Sequence, residues 1–594
     1  MKKTLYIIIF SAAAWLASSC NDEAFLSESP KYFYSAENAF TTPSQVDQAL
    51  IACYSKLRDM YSFREESKTT FSYRGNNGTD MFDVPSIRHS FQFNDYSNIN
   101  PENEVFKNVF SDWYKMISYA NFTLMGADKK EIVWESDASR KYIIAQARFF
   151  RAWSYLNLGE LFGGVPIVTE FCDTPRYDFK RATRLETYQY AIDELEAILE
   201  DLPEESPERG RICKGAAQHA LMQLYIDKGV VLDEEGLSDE ARNAYSKAVD
   251  YGDLLIGGGR YSLMTERFGK RKDEGPKFYY ACTPEAQTEE HSYESAGVIL
   301  EGNVFWDLFQ EGNQDYKDGN RESIWILRMD HDAFIKEDKV SRLTYSRVYG
   351  PNFDPVKGDL KGGSLEDLGG RGVSFIMPTE YTRDLIFQNK WNVDMRNSET
   401  VLRRKLVGNV PTSQYYGKVV PWDYIYKEND ASQDVRDAAY TQSFPISCKI
   451  HLDTYQEAND GRKEKMFRDE YVIRLAESIL LRAEAYFRLG NKTWAAKDIN
   501  LLRERAKCSH QVLASEVTLD LILDERAREL MYEEHRWNTL LRMGGTVAVD
   551  RIQEYSYWNY PRTGTMKTFN LWPIPQSVID TNKDETIQQN DGWK

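Results

Sequence analysis

The sequence lacks the short motifs that carry most hydrolytic, metal-dependent and phosphate-binding chemistry. Its seven histidines are scattered and form no H-E-x-x-H pair, and no G-x-S-x-G elbow is present for a nucleophilic serine. Gly269-Lys270 lacks the earlier glycine of a phosphate loop, and residues 313–320 miss the spacing of a calcium loop. We therefore predict no cofactor, no catalytic residue and no motif-borne metal site, while a structural calcium ion held by other residues stays open.

Cysteine is also scarce, and basic residues are fewer than acidic ones. The six cysteines after Cys20 are far apart and form no C-x-x-C pair, which argues against a metal framework or a disulfide scaffold. The 92 acidic residues outnumber the 74 basic ones, so the net charge is −18. Because a nucleic-acid surface must neutralise phosphate with basic side chains, this balance argues against nucleic-acid binding.

Only one long apolar run is present, and it lies at the N-terminus. Lys2 and Lys3 precede the apolar run 5–16, and the small residues 17–19 lead directly to Cys20. The run is too short to span a membrane, so residues 1–19 are predicted to be a signal peptide.

Cys20 directly after the small residues is typical of a bacterial lipobox, although an ordinary signal peptide with an accidental cysteine is the alternative. Lipidation of Cys20 would anchor the mature chain, because two or more acyl chains give stable membrane attachment. The chain after Cys20 continues polar to about Ser35, and residues 20–41 are predicted to be a lipidated tether.

The most informative stretch is a predicted helix that ends abruptly. Ile143, Ala147, Phe150, Ser154 and Leu158 recur at helical spacing, and the intervening residues are also largely apolar. A helix that is apolar nearly all round is buried among other helices. Ser136 or Asp137 can cap its start, and Gly163-Gly164 followed by Pro166 stops it.

Further helices flank this one and place it in a larger body. Residues 42–57, 106–125, 187–202, 214–228 and 239–255 have helical periodicity, with Pro203, Gly229 and Gly257 as predicted stops. The long segment 62–103 lacks periodicity and is predicted to be an ordered loop. Paired helices of this length suggest a body built from hairpins of the TPR (tetratricopeptide repeat) type over residues 42–264.

Helical periodicity lapses over residues 265–466, which are rich in glycine, proline, asparagine and tyrosine. We predict a loop-rich insertion there with few short strands, one of them at 322–326. Periodicity returns over 467–594, where Ile473, Ala476, Leu480 and Ala483 begin a second TPR-like hairpin that is followed by a further helix and a terminal segment. The fold class is therefore mostly α.

Several separated segments resemble the SusD/RagB family of surface glycan-binding lipoproteins. The segment 145–168 contains A-x-A-R-F-x-R-A followed by L-F-G-G-V-P, and residues 571–575 read L-W-P-I-P. Arg474-Leu475-Ala476-Glu477 and the charged run 525–542 also match, and together the matches extend from the lipobox to the C-terminus. The resemblance implies a SusD-like fold and a cell-surface protein of the outer membrane. It further implies an oligosaccharide ligand and delivery to a SusC-like, TonB-dependent β-barrel.

The charged run 525–542 contains four glutamates with arginines at helical spacing. Two glutamates could in principle serve as acid and base across a glycosidic bond. The nearby positive charge lowers a carboxylate pKa, however, and spoils a general acid, so a structural ion network is the favoured interpretation. The glutamates are Glu525, Glu529, Glu533 and Glu534.

A sugar site needs a flat aromatic ring for stacking and polar side chains around it. In the resembled family the glycan site lies on divergent loops, so no motif transfers a ligand residue to this chain. The loops offer as candidate ligand contacts Tyr73, Arg74, Asn76, Asp80, Tyr96, Asn98, Tyr349 and Trp422.

The sequence thus predicts a non-catalytic binding protein that captures an oligosaccharide at the cell surface. Capture of peptides by the same architecture is one alternative, and a surface glycoside hydrolase is another.

Overall fold

The computed structural model describes residues 39–61, 76–85, 99–281, 284–336, 342–361, 370, 372–450, 465–556 and 569–593. The predicted signal peptide, Cys20, most of the tether and most of the loop 62–103 lie outside these residues.

Six long helices form the N-terminal part of the protein, and each packs against the next along the chain. This arrangement confirms the mostly helical prediction. The helices are α1 Pro43–Tyr61, α2 Glu104–Ala127, α3 Asp137–Phe162, α4 Arg184–Glu196, α5 Lys214–Glu234 and α6 Ser238–Gly257.

Helix α3 lies at the centre of the main core. Ser136 caps it through a reciprocal capping box with Ser139, and Gly163 ends it with a positive φ of 76°. From Ala145 to Phe162 every residue except Arg148 is buried. Arg148 and Arg151 both reach Glu194 of α4, at 2.8 and 2.5 Å, so charge pairing as well as apolar packing joins the two helices.

Gly229 was predicted to end a helix, but α5 continues through it to Glu234. The reason is packing: a Cβ at position 229 would lie 2.4 Å from Cε1 of Tyr245 on α6. The glycine therefore permits the close crossing of α5 and α6 and does not serve as a stop.

Short elements make up the region between α6 and the C-terminal helices. In its described residues the longest helix has ten residues. The helices are α7 Val304–Leu308, α8 His331–Ile335, α9 Tyr345–Tyr349, α10 Glu380–Arg383, α11 Trp422–Ile425 and α12 Gln433–Gln442. The predicted boundaries at 265 and 466 stay a prediction.

The described strands form three two-stranded antiparallel ribbons, which pair β1 with β3, β2 with β6 and β4 with β5. The β2–β6 ribbon joins the loop-rich region to the C-terminal helices. Ile473 lies in β6 and so does not belong to the helix that the sequence predicted there. The strands are β1 Phe82–Asp83, β2 Ser323–Leu327, β3 Met377–Pro378, β4 Leu402–Arg403, β5 Ile446–Ser447 and β6 Glu470–Arg474.

The C-terminal part begins with the hairpin that the sequence predicted and continues with short helices. The charged run 525–542 is not one helix, because the chain breaks at Met531 and Tyr532 takes a φ of 65°. The helices are α13 Leu475–Arg488, α14 Lys492–Arg505, α15 Leu519–Leu530, α16 Arg536–Arg542, α17 Val547–Tyr555 and α18 Gln576–Thr581.

A buried ion network ties the loop-rich region to these helices. Arg474 of β6 binds Glu322 at 2.7 Å and Glu529 of α15 at 2.9 Å. Arg505 of α14 binds the same two glutamates and reaches Glu322 at 2.6 Å. Because all four side chains are buried, each charge depends on the others for compensation.

The network continues through Glu525 on the preceding turn of α15. Arg396 binds Glu525 at 2.8 Å and Glu529 at 3.0 Å, while Arg503 and Arg528 bind Glu525 at 3.1 and 2.9 Å. Burial by itself would raise the pKa of Glu525, but the charges of the three arginines outweigh it and lower the pKa to about 2.

We expect Gly229→Ala to destabilise the protein by ~1–3 kcal/mol, because the new methyl group overlaps the Tyr245 ring. Gly257→Ala is the matched control, since it is also a helical glycine and nothing lies within 4 Å of its Cβ position. Thermal unfolding of both variants gives the comparison. Equal melting temperatures would contradict the packing explanation.

We expect Glu525→Gln to lower the unfolding free energy at pH 7 by ~3–5 kcal/mol, because it leaves three buried arginines undercompensated. A lowered folded-state pKa stabilises the fold above the unfolded-state pKa of about 4.3, and this stability is lost as the pH falls towards 2.

Urea unfolding of the wild type and of Glu525→Gln between pH 2 and pH 7 tests the assignment. The difference in unfolding free energy between the two proteins should decrease as the pH falls. The exposed Glu200→Gln serves as control and should track the wild type at every pH. A difference that does not depend on pH would argue against the assignment.

Candidate functional site

Five residues that the sequence singled out lie outside the described part of the chain. They are Cys20, Tyr73, Arg74, Tyr96 and Asn98. Lipidation of Cys20 and ligand contact by the other four stay predictions.

Asp80 and Asn76 lie in the core and hold the described loop residues 76–85 to the C-terminal helices. The Asp80 carboxylate accepts bonds from Arg536 at 2.6 Å and Arg551 at 2.7 Å. Burial raises its pKa, but the two arginines more than offset this and bring the pKa to about 2. The Asn76 amide donates to the Glu534 carbonyl oxygen at 2.9 Å and accepts from the Arg536 amide at 2.8 Å.

Tyr349 ends α9 and is only 2% exposed. Its ring packs against Phe82 and Tyr532, with centroids 5.6 and 5.4 Å away. Asn76, Asp80 and Tyr349 are therefore buried with protein partners, and ligand contact by these three residues stays a prediction. The apolar pair Met81-Phe82 directly after Asp80 was a local signal that this part of the loop is buried, although it does not identify the partners of Asp80.

Trp422, in contrast, lies half-buried among other aromatic residues on the loop-rich region. We call this group the insertion aromatic cluster. Ring centroids are 4.8 Å apart for Tyr415–Tyr424, 5.0 Å for Trp422–Tyr426 and 5.2 Å for Tyr426–Tyr440. All five residues are half-buried, so part of each side chain is open to solvent.

Hydrogen bonds fix the positions of these rings. Asp359 accepts from the Tyr424 hydroxyl at 2.9 Å and from the Ser413 hydroxyl at 2.5 Å. The bond to Asp359 raises the pKa of Tyr424, because it stabilises the protonated phenol. The Trp422 indole Nε1 donates to the Arg404 carbonyl oxygen at 2.9 Å, which orients the ring while its surface stays accessible.

The loop-rich region also contains a small cavity. Its volume is about 120 Å³, and its lining includes Lys277, Glu289, Tyr293 and the exposed Ile299. Tyr416, which follows Tyr415 of the cluster in the sequence, packs against the apolar group that includes Phe278 and Tyr293 of the cavity lining. The Tyr416 ring lies 5.4 Å from that of Tyr280 and 6.0 Å from that of His291.

The cavity lining mixes polar and apolar side chains, and Lys277 pairs with Glu289 across 3.0 Å. Rigid rings beside charged and hydroxyl groups can stack on a sugar and bind its hydroxyls.

The glutamates of the charged run have the opposite character. Each is buried and paired with arginine or lysine, and their positive neighbours lower the pKa of Glu529, Glu533 and Glu534 despite desolvation. A glycosidase needs one carboxyl with a raised pKa as general acid. This group therefore has the chemistry of a structural ion network.

Within the described residues, no group of three or more His, Cys, Asp or Glu side chains is arranged to hold a metal ion. Five cysteines are described; all are free, and only Cys172 is exposed. No helix in the described ranges is long and apolar enough to cross a membrane.

Two family models match different parts of the chain. The model described as the SusD family matches residues 321–593. The model described as "Starch-binding associating with outer membrane" matches residues 24–226.

Characterised relatives align along most of the sequence. The starch-binding protein SusD of Bacteroides thetaiotaomicron is 26% identical over 80% of this chain and 77% of its own length. The SusD-like protein P25 of Formosa agariphila is 23% identical over 99% of both chains.

Solved structures share the fold. A SusD homologue from Bacteroides thetaiotaomicron superposes with a TM-score of 0.65 at 18% identity, covering 94% of this chain and 98% of its own. The surface glycan-binding protein A of that organism, in complex with laminarihexaose, gives a TM-score of 0.61 at 18% identity, covering 93% and 100%. The C-terminal part of the chain thus matches the model of the SusD family, and along most of its length the chain is similar to SusD and SusD-like proteins.

Proposed function

We propose that this protein captures an oligosaccharide at the outer surface of the cell and delivers it to a SusC-like, TonB-dependent β-barrel for import. The observation that carries the proposal is the insertion aromatic cluster, where Trp422 and Tyr424 are held in place by their own polar atoms. Rings that are positioned in advance lose little conformational entropy when a ligand binds.

The similar proteins support a carbohydrate ligand. One relative is named a starch-binding protein, and one structural neighbour was solved with laminarihexaose. Peptide capture by the same surface is the alternative that the binding experiment must separate.

The proposed role includes no catalytic step. The acidic residues that could have suggested a hydrolase have lowered pKa values and buried partners. Binding without product formation is therefore the expected behaviour.

The similarity to SusD-family proteins supports the proposed partner and location. One of the matching family models is described as associating with the outer membrane. The proposal places the lipid on Cys20 at the outer membrane, with the folded body on the extracellular side and a SusC-like barrel beneath it.

We expect isothermal titration of a glycan and peptide panel to give binding to one polysaccharide class with no product released. Trp422→Ala should weaken that binding at least tenfold, or ~1.4 kcal/mol, because the stacking surface is lost. Trp422→Phe should retain most of the affinity because it keeps a flat ring.

Trp494→Ala is the matched control, since Trp494 is a 45% exposed tryptophan on α14, outside the cluster. Binding of peptides but of no glycan would contradict the glycan proposal and support peptide capture. Release of a cleaved product would support the hydrolase alternative. An unchanged affinity in Trp422→Ala would move the site away from the cluster.

We expect Cys20→Ala to abolish lipid attachment and to release the protein from the outer-membrane fraction, because acylation supplies the anchor. Intact-mass measurement and membrane fractionation give the readouts. Ser19→Ala is the control and should leave the mature mass unchanged. A Cys20→Ala protein that remains in the membrane would rule out the lipid as the main attachment.

A further inference from the structure

A second surface feature lies on the helical body and has a different character from the insertion aromatic cluster. It is an apolar groove of about 270 Å³ between α2, the segment after α3 and the chain around α18. We call it the α2 groove. Its apolar lining comprises Phe110, Tyr114, Val168, Phe179, Val578 and Ile587.

Most of the polar groups around the groove are already satisfied within the protein. The Tyr114 hydroxyl donates to the Pro166 carbonyl oxygen at 2.6 Å. The Asn582 amide bonds both the amide and the carbonyl of Phe179, each at 2.9 Å. An apolar lining with few free hydrogen-bonding groups suits an apolar or aromatic side chain better than a sugar.

A line of aromatic contacts leads from the groove to the start of the described chain. Phe40 packs against Phe122 of α2 at 4.7 Å, and Phe122 packs against Phe171 at 4.9 Å. The segment that carries Phe171 also contributes Val168 to the groove, and the Asn121 amide fixes it by donating to the Val168 carbonyl oxygen at 3.1 Å.

The distances allow the preceding residues to reach the groove. Phe122 and Tyr114 are eight residues apart on α2, which corresponds to about 12 Å along the axis. Phe40 lies six positions after Tyr34, and an extended chain over that interval spans at most about 20 Å. The sequence directly before this spacer is Tyr32-Phe33-Tyr34, three aromatic residues in succession.

We propose that the α2 groove receives the aromatic segment Tyr32-Phe33-Tyr34 of the same chain. The length of the chain before Phe40, the line of aromatic contacts and the apolar lining together identify this occupant. Docking would shorten the free tether between the lipidated position and the body. The span falls from 20 residues, at most about 70 Å, to 12 residues, at most about 42 Å.

Cysteine cross-linking in the full chain, purified in detergent, tests the proposal. Cys172 and Cys282 are first replaced by serine to remove competing thiols. Ser35→Cys is then combined with Ser577→Cys at the rim of the groove. The matched control combines Ser35→Cys with Val133→Cys, since Val133 is 86% exposed and follows Ile132, which shares an apolar cluster with Phe40.

Mild oxidation should form the 35–577 disulfide at least about tenfold faster than the 35–133 disulfide. Replacement of all three aromatic residues by alanine should abolish this preference, because the apolar contact that holds the segment is lost. Equal rates in the original pair, or a preference that survives the alanine replacements, would overturn the proposal.

The fluorescent dye ANS (anilinonaphthalene sulfonate) gives a second readout that needs no added cysteine. The triple-alanine protein should bind more dye than the wild type and should melt at the same temperature, because the groove is uncovered while the body is unchanged. Equal dye binding would contradict docking of the segment. If dye binding per molecule falls as the protein concentration rises, and does so in the triple-alanine protein too, a second copy of the chain covers the groove. That result would overturn the proposal.

Discussion

Buried arginine–carboxylate pairs hold the loop-rich region against the C-terminal helices. The Glu529 carboxylate forms salt bridges with Arg396, Arg474 and Arg505, which belong to three separate segments of the chain. A buried charge that loses its partner is strongly unfavourable, so these segments can fold together only in an arrangement that satisfies all of them. Regular secondary structure cannot supply this restraint, since the described helices between α6 and α13 have at most ten residues.

The network also explains why an acidic cluster can be central to a protein without being reactive. Lys449 donates to the Glu529 carbonyl oxygen and to the Glu533 carboxylate, each at 2.6 Å, so the end of α15 is neutralised from yet another segment. Such pairing keeps the buried carboxylates ionised. An ionised carboxylate has no proton to donate, so these residues can link segments of the fold but cannot act as a general acid. Ligand chemistry is thereby left to surfaces outside the network.

The sequence was most informative where a local rule and the global fold agree. Helix α3 illustrates this, because its cap at Ser136, its apolar faces and its stop at Gly163 are all encoded within the helix itself. Gly229 and the break at Met531 escaped prediction because the first depends on the Tyr245 ring across a helix crossing and the second on the positive φ of Tyr532.

The partners of Asp80 and Asn76 could not be predicted from local sequence either, because Arg536 and Arg551 lie more than 450 residues away. Trp422 was predicted as a ligand contact from a local signal, a surface aromatic residue, and that contact stays a prediction. Its bond to Arg404 and the bond of Asp359 to Tyr424 were not visible in the sequence. The family motifs in 525–542 marked the network correctly, whereas their spacing alone did not reveal the chain break.

The insertion aromatic cluster packs on a small apolar core that is separate from the main core. Tyr415, Trp422, Tyr424 and Tyr426 pack on a small satellite core that includes Phe353, Leu406, Val420 and Ile446, whereas the main core is built around α3. Distant sites with no shared partners contribute independently to stability. A substitution in the cluster can therefore alter the shape and polarity of the proposed binding surface while the buried arginine network continues to hold the loop-rich region against the C-terminal helices.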